Sequence, residues 1–237
     1  MRHFLFIGLI GFLTAFAGFF PAGIFSAAAR KRGKRPLGAM LGFTAGLLIA
    51  FICFEILPDS LERWGLYKGI FAMLAGVVLS AWLEGGMGDM GRLEKAGALL
   101  SLGVMIHNIP EGMALGSVLN ISLAAGISLS AMIAIHCFPE ALAIMLPLRQ
   151  AGASNGRIFL LSAAMAVPMA LGAFFGGIAS TLSPMFVDAC LCFSGGVMLY
   201  ISCGEILPES KDVWRGRLSA VGAMVGFAGG VWLTAKL

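Results

Sequence analysis

Two segments of this chain repeat the pattern His-x-x-Pro-Glu, each inside a long apolar run: 107-HNIPEGMALG-116 and 136-HCFPEALAIM-145. The histidine and the glutamate of each pattern are four residues apart, so on a helix each pair projects from one face. Two such helices facing each other would bring two imidazoles and two carboxylates to one point, a ligand set that suits a first-row divalent metal. The four candidate ligands are His107, Glu111, His136 and Glu140.

A proline lies inside each pattern. Pro110 and Pro139 lack an N–H, so the carbonyls of Ile106 and Ile135 lose their helical partners. A membrane tolerates such carbonyls only where another group satisfies them or where they line a polar cavity. One histidine or one proline alone would favour a satisfied core residue or a packing kink. Because two of the three histidines in the chain occupy equivalent positions of a repeated pattern, we favour the metal-ligand interpretation.

The composition predicts an integral membrane protein. The chain has 237 residues, of which 59% are hydrophobic and 12% are charged, whereas soluble domains carry roughly 25% charged residues. A charge at mid-bilayer costs at least about 2.5–3.5 kcal/mol on insertion scales, so the buried His and Glu residues need partners and a function. The net charge of +4 reflects membrane topology and does not indicate nucleic-acid binding, and the five cysteines show no CxxC metal spacing.

The apolar runs predict an all-α protein with one transmembrane domain, 1–237, and eight spans. Twelve of the 16 Lys and Arg residues fall in the loops after spans 1, 3, 5 and 7, which the positive-inside rule places in the cytoplasm. Both termini are therefore expected outside a plasma or inner membrane. The predicted spans are about 4–29, 37–57, 66–84, 96–119, 122–147, 158–181, 186–208 and 217–236.

An internal repeat relates spans 2 and 7. The segment 43-FTAGLLIAFICFEILPDS-60 aligns without gaps to 193-FSGGVMLYISCGEILPES-210, with the sequence Glu-Ile-Leu-Pro in both. Because the two spans run in opposite directions, they predict an inverted repeat, a feature of secondary transporters whose sites lie near the midplane. Two acids end each segment, and they could attract cations at the two mouths of a path or could be solvated helix ends before a proline stop. These candidate entry and exit acids are Glu55, Asp59, Glu205 and Glu209.

The HNIPEG motif on span 4 and the HxxPE motif on span 5 resemble the ZIP (Zrt/Irt-like) divalent metal transporters. The eight spans, the external termini and the acidic-Pro segments are similar too, so the resemblance covers essentially the whole chain. It implies uptake of zinc or a related metal into the cytoplasm, usually by a homodimer. It also implies a metal site between spans 4 and 5, which in the family can be binuclear.

The resemblance would build a second site from Asn108, Cys137, the two shared glutamates and a glutamate on span 6. This chain departs from the family at two of these positions. Position 137 is a cysteine where asparagine or aspartate is more common, and Val167 stands before Pro168 where the glutamate is expected. Since span 6 carries no acid, we predict one metal per site, or a second site of much weaker affinity.

The sequence therefore predicts a transporter and not an enzyme, moving a divalent metal by alternating access around a midplane His/Glu site. Zinc is the metal that the resemblance implies, and the ligands alone also accept Fe²⁺, Mn²⁺, Co²⁺ or Cd²⁺. Two alternatives use the same histidines: a haem-binding redox protein and an intramembrane metallohydrolase, which would activate water on its metal. A transporter fold adapted to sensing is a third.

Overall fold

The structure is a computed structural model that describes residues 1–29, 33–86, 92–178 and 184–235. Over these ranges it contains helices and no β-strand, and eight helices are long and apolar enough to cross a membrane. The prediction of an all-α protein with eight spans is thereby confirmed. The helices are α1 (Arg2–Ala29), α2 (Lys34–Trp64), α3 (Leu66–Gly86), α4 (Arg92–Ile121), α5 (Leu123–Gln150), α6 (Asn155–Ile178), α7 (184–213) and α8 (Arg217–Thr234).

The boundaries lie close to the predicted ones, with two differences in α2 and α7. Both helices continue past their Leu-Pro sequence, α2 to Trp64 and α7 to Val213, where the sequence predicted ends near residues 57 and 208. Several of the cations used for topology lie outside the described residues; these are Arg30, Lys31, Arg32 and Lys236.

Local chemistry explains where several helices begin and end. Ser122 caps α5, because its hydroxyl oxygen accepts a hydrogen bond from the Ala125 amide at 3.3 Å. Before α6, the Ser154 hydroxyl accepts from the Arg157 amide at 3.2 Å. Gly65 separates α2 from α3 with a φ of 101°, a conformation that only glycine adopts without strain.

A π-helical turn interrupts α2 at Ile52–Ile56 and another interrupts α7 at Ile201–Ile206. In α2 the Leu57 N–H bonds to the carbonyl of Ile52, and in α7 the Leu207 N–H bonds to the carbonyl of Ser202. The two bonds are 150 residues apart, the offset of the sequence repeat. A proline follows each leucine, and the widened turn makes room for a ring that would clash with an ordinary helical turn. The helices therefore pass through these prolines instead of stopping.

The eight helices form two groups. The helices α1, α4, α5 and α6 pack mainly against one another and form what we call the site bundle. The helices α2, α3, α7 and α8 form the second group, the repeat bundle, in which α2 packs on α8 and α3 packs on α7. An inverted repeat would relate α1 to α6, α2 to α7, α3 to α8 and α4 to α5. Exchanging the helices in this way turns the α2–α8 pair into the α7–α3 pair and the α4–α6 pair into the α5–α1 pair, all of which are observed.

Glycines set the closest helix crossings, and they obey the same repeat. A methyl group on Gly46 of α2 would lie 2.0 Å from the carbonyl oxygen of Ala223 on α8. At the equivalent crossing, a methyl group on Gly196 of α7 would lie 1.9 Å from the carbonyl oxygen of Met73 on α3. Both partner residues also differ by 150 in number. Since apolar burial does not drive helices together in lipid, such small residues let the backbones approach closely and pack.

A small substitution in α8 tests this packing. A methyl group on Gly226 would lie 1.9 Å from the Phe43 carbonyl oxygen, so Gly226→Ala should force α8 away from α2 and destabilise the protein by about 1–3 kcal/mol. A methyl group on Gly229, one turn on in the same helix, would have no atom of the described residues within 4 Å, so Gly229→Ala is the control. Thermal unfolding in detergent should show a lower midpoint for the first variant only. Equal midpoints would contradict the tight crossing.

Candidate metal site

Glu111 of α4 lies between the two predicted histidines. Its Oε1 is 2.7 Å from Nε2 of His136 on α5, and its Oε2 is 3.6 Å from Nε2 of His107 on its own helix. One nitrogen or oxygen atom from each of these three residues lies within 4.8 Å of the others. The i, i+4 spacing places His107 and Glu111 on one face of α4, and the packing of α4 on α5 brings His136 to that face.

Glu140 places a second carboxylate beside His107, although it is not a member of the three-residue group. Its Oε1 is 3.8 Å from Nε2 of His107. In a tetrahedral zinc site with bonds of about 2.0–2.1 Å, neighbouring ligand atoms are about 3.3 Å apart. The distances of 2.7, 3.6 and 3.8 Å lie around that value, and Glu140 would have to move closer to the other ligands to complete a shell of four.

The site is largely buried, and several of its polar atoms have no hydrogen-bond partner among the described residues. His107 is fully buried and Glu140 is 2% exposed. Nε2 of His107, Oε2 of Glu111 and Oε2 of Glu140 are buried without a hydrogen bond. Leaving such atoms unpaired away from water is costly, and a cation placed among them would offset that cost.

Each histidine also contacts the repeat bundle. Nδ1 of His107 is 3.0 Å from the hydroxyl oxygen of Ser194 on α7. Nδ1 of His136 is 3.9 Å from Oε1 of Glu55 in the π-turn of α2. Glu55 thus lies well inside its helix and beside the site, whereas the sequence placed it at the outer end of span 2.

Two residues predicted for a second metal, Asn108 and Cys137, are fully buried. The Asn108 amide nitrogen donates to the Met165 carbonyl on α6 at 3.0 Å, and its Oδ1 has no hydrogen-bond partner within the described ranges. Cys137 is fully buried against Gly18 of α1 and is not a member of the three-residue group. Val167 is 45% exposed. The occupancy of one or two metals stays a prediction from the sequence.

The other predicted acids lie away from this group. Asp59 is exposed and lies 3.5 Å from Arg63, whose guanidinium also binds Asp188 of α7 at 2.8 Å. The cation beside Asp59 offsets its attraction for metal ions. Glu205 is partly buried in the π-turn of α7, and Glu209 is buried one turn further on.

Ser194 and the backbone carbonyl of Met165 were not predicted. A signal for Ser194 was present, because position 44 of the repeat carries Thr44 where position 194 carries a serine. Hydroxyls at equivalent positions of both spans mark a polar position inside two apolar helices. No pattern in the sequence points to the Met165 carbonyl, since every residue has one.

Eight spans around a largely buried group of imidazoles and carboxylates are typical of a polytopic membrane protein that handles a divalent metal. Residues 85–233 match the family model described as ZIP Zinc transporter. The chain belongs to the ZIP family.

Individual relatives agree with this assignment. Zinc transporter GufA of Myxococcus xanthus is 34% identical over 169 residues, an alignment covering 65% of each chain. Zinc transporter ZupT of Campylobacter jejuni is 29% identical over 279 aligned positions, covering 94% of each chain. Zinc transporter ZIP11 of Homo sapiens is 34% identical over 137 residues, which are 55% of this chain and 40% of ZIP11. The resemblance drawn from the two motifs is confirmed, and a transporter is favoured over the hydrolase and the haem protein.

If the group around Glu111 binds a metal, Glu111→Gln should weaken zinc binding by more than the roughly 10–100-fold typical of losing a residue that only supports a ligand. The amide keeps the size of the side chain and removes the charge between the two imidazoles. Competition titration of purified protein with a zinc chelator measures the affinity. Glu94→Gln is the matched control, because Glu94 is partly exposed and pairs with Arg157. Equal affinities for Glu111→Gln and wild type would exclude Glu111 as a ligand.

Proposed function

We propose that this protein carries Zn²⁺ into the cytoplasm by alternating access around His107, Glu111, His136 and Glu140. The observation that carries the proposal is the buried group in which Glu111 lies between two imidazole nitrogens. Ionisable side chains inside a transmembrane bundle mark substrate paths, and two imidazoles with two carboxylates are ligands that zinc accepts. The relatives that are named zinc transporters support zinc as the cargo.

The four proposed ligands, His107, Glu111, His136 and Glu140, offer nitrogen and oxygen atoms only. Such a set also accepts Fe²⁺, Mn²⁺, Co²⁺ and Cd²⁺, so these ions are further candidate cargoes. We expect a single ion per site, or a second ion of much weaker affinity, because α6 offers no carboxylate.

The direction of transport follows from the distribution of charge. Twelve of the 16 Lys and Arg residues lie in or next to the connections α1–α2, α3–α4, α5–α6 and α7–α8, most of them in the first or last turn of a helix. We therefore place these connections in the cytoplasm and both termini outside a plasma or inner membrane. With this orientation Asp59 is near the outer face, and Glu205 and Glu209 lie toward the inner face. The homodimer is proposed on the family resemblance alone.

The contacts between the bundles support a mechanism of relative motion. The four ligands belong to α4 and α5 of the site bundle, whereas Glu55 and Ser194 approach from the repeat bundle. An apolar groove of about 500 Å³, open to the surface, lies between α1 and α5 on one side and α2 and α8 on the other, so the two bundles are not in continuous contact there. A shift along it would change which face of the site is open and which contacts surround the metal.

Uptake into proteoliposomes tests the proposal directly. Purified protein should give saturable Zn²⁺ uptake, and a His107→Ala/His136→Ala double variant of equal monodispersity should give none, because two of the four ligands are gone. Parallel assays with Fe²⁺, Mn²⁺ and Cd²⁺ would rank the cargoes. Tight zinc binding without uptake of any of these metals would overturn the transporter proposal and favour a sensor.

A second prediction concerns Glu55. Its carboxylate lies 3.9 Å from His136, so we expect it to attract the ion and pass it to the site. Glu55→Gln should raise the zinc concentration for half-maximal uptake severalfold and leave the maximal rate less affected. Glu62→Gln removes an exposed acid from the same helix and is the control. If both variants behave alike, Glu55 acts only through general surface charge.

A further inference from the structure

Ser194 of α7 contacts one of the proposed metal ligands, His107. Its hydroxyl oxygen is 3.0 Å from Nδ1 of His107, and it is also 3.0 Å from the carbonyl oxygen of Leu191. Ser194 is fully buried, as is His107, so water does not compete for either group. The contact joins the repeat bundle to the site bundle.

The partners of Ser194 favour one arrangement of the hydrogens. Both contacts of the hydroxyl are satisfied at once when its single hydrogen is donated to the Leu191 carbonyl, which can only accept, and its oxygen accepts from His107. In that arrangement Nδ1 of His107 carries a hydrogen. A neutral imidazole with a hydrogen on Nδ1 has a lone pair on Nε2. That Nε2 is the atom facing Glu111 and Glu140, and the described residues give it no hydrogen-bond partner.

The geometry points to Ser194 as a positioning residue that holds His107 in the Nδ1–H tautomer, so that Nε2 presents its lone pair to the transported metal. Ligating histidines are commonly fixed in this way by an acceptor on their second nitrogen. The inference rests on the proposed function in one respect, because it takes the group that binds to Nε2 to be the transported metal. The tautomer itself is a property of the metal-free protein.

The location of Ser194 gives this contact a further consequence. His107 lies on α4 and Ser194 on α7, so a shift between the two bundles would separate them. Without Ser194 as acceptor, the Nδ1–H group would have no partner. The population of the competing Nε2–H tautomer would then rise, because its N–H is directed at two carboxylates. The zinc affinity of the site would then be higher when α7 lies against α4 and lower when it withdraws, which is the differential affinity that release requires.

Nitrogen-15 NMR of the metal-free protein, labelled at histidine, tests the tautomer. Only three histidines contribute, and a His107→Ala sample identifies the His107 signals. The variants are Ser194→Ala, which removes the acceptor, and Ser194→Thr, which restores a hydroxyl. Thr44→Val is the matched control, because Thr44 is the repeat equivalent of Ser194 and its hydroxyl donates to the Met40 carbonyl. Zinc affinity is measured on the same samples by competition titration.

We expect Nδ1–H in wild type, in Ser194→Thr and in Thr44→Val, and a mixture or the Nε2–H form in Ser194→Ala. Zinc affinity should fall about 10–100-fold in Ser194→Ala alone. A wild-type Nε2–H tautomer, or a tautomer unchanged by Ser194→Ala, would overturn the assignment whatever the affinity does. A changed tautomer with unchanged affinity would overturn the role in metal binding. If wild type binds no zinc, the proposed function fails, and the NMR result still decides the tautomer.

Discussion

The contact of Glu111 with both imidazoles is the interaction around which the rest of the fold is arranged. Because Glu111 and His107 share one helix and His136 belongs to the next, the contact exists only if α4 and α5 pack face to face with these positions in register. The same packing removes the groups from water and from lipid, where unpaired polar atoms are costly. The helices must therefore hold the group tightly enough that its members partner one another or a cation. Close packing by glycine is how this chain achieves that, since α4 meets α6 through Gly112 and Gly116.

The repeat is symmetric in backbone and asymmetric at the site. The π-turns and the glycine crossings recur at an offset of 150 residues. Yet Glu55 and Ser194, which both reach the site from the repeat bundle, occupy positions that are not equivalent in the repeat. In secondary transporters, inverted repeats of this kind move against each other around a fixed site, so that the site opens alternately to the two sides of the membrane. The π-turns of α2 and α7 are points at which these helices could bend during such a motion.

Much of this could be predicted from the sequence because hydropathy and motif spacing report directly on lipid exposure and on helical faces. The eight spans and the family followed from them, and the geometry of His107, Glu111 and His136 fits the expected shared face. Helix length through Pro58 could not be predicted, because a π-turn depends on hydrogen bonds five residues apart that no residue type encodes. The reach of Glu55 to His136 depends on how the two bundles sit together, which is a tertiary property. The contact of Ser194 with His107 could not be predicted for the same reason, although the repeat has a hydroxyl at the equivalent position, Thr44.

Selectivity must then arise beyond the choice of ligand atoms. The nitrogen and oxygen ligands of the proposed site accept several borderline ions, and affinity alone would favour copper over zinc. What the fold can control is geometry, since α4 and α5 fix the separation of the imidazoles while α7 fixes the ring of His107 through Ser194. An ion that tolerates a compact, nearly tetrahedral shell suits this arrangement, and zinc has no electronic preference against it. An ion that needs six oxygen ligands would require further carboxylates or water molecules in this largely buried group. Making room for them would disrupt the helix packing that holds the group together.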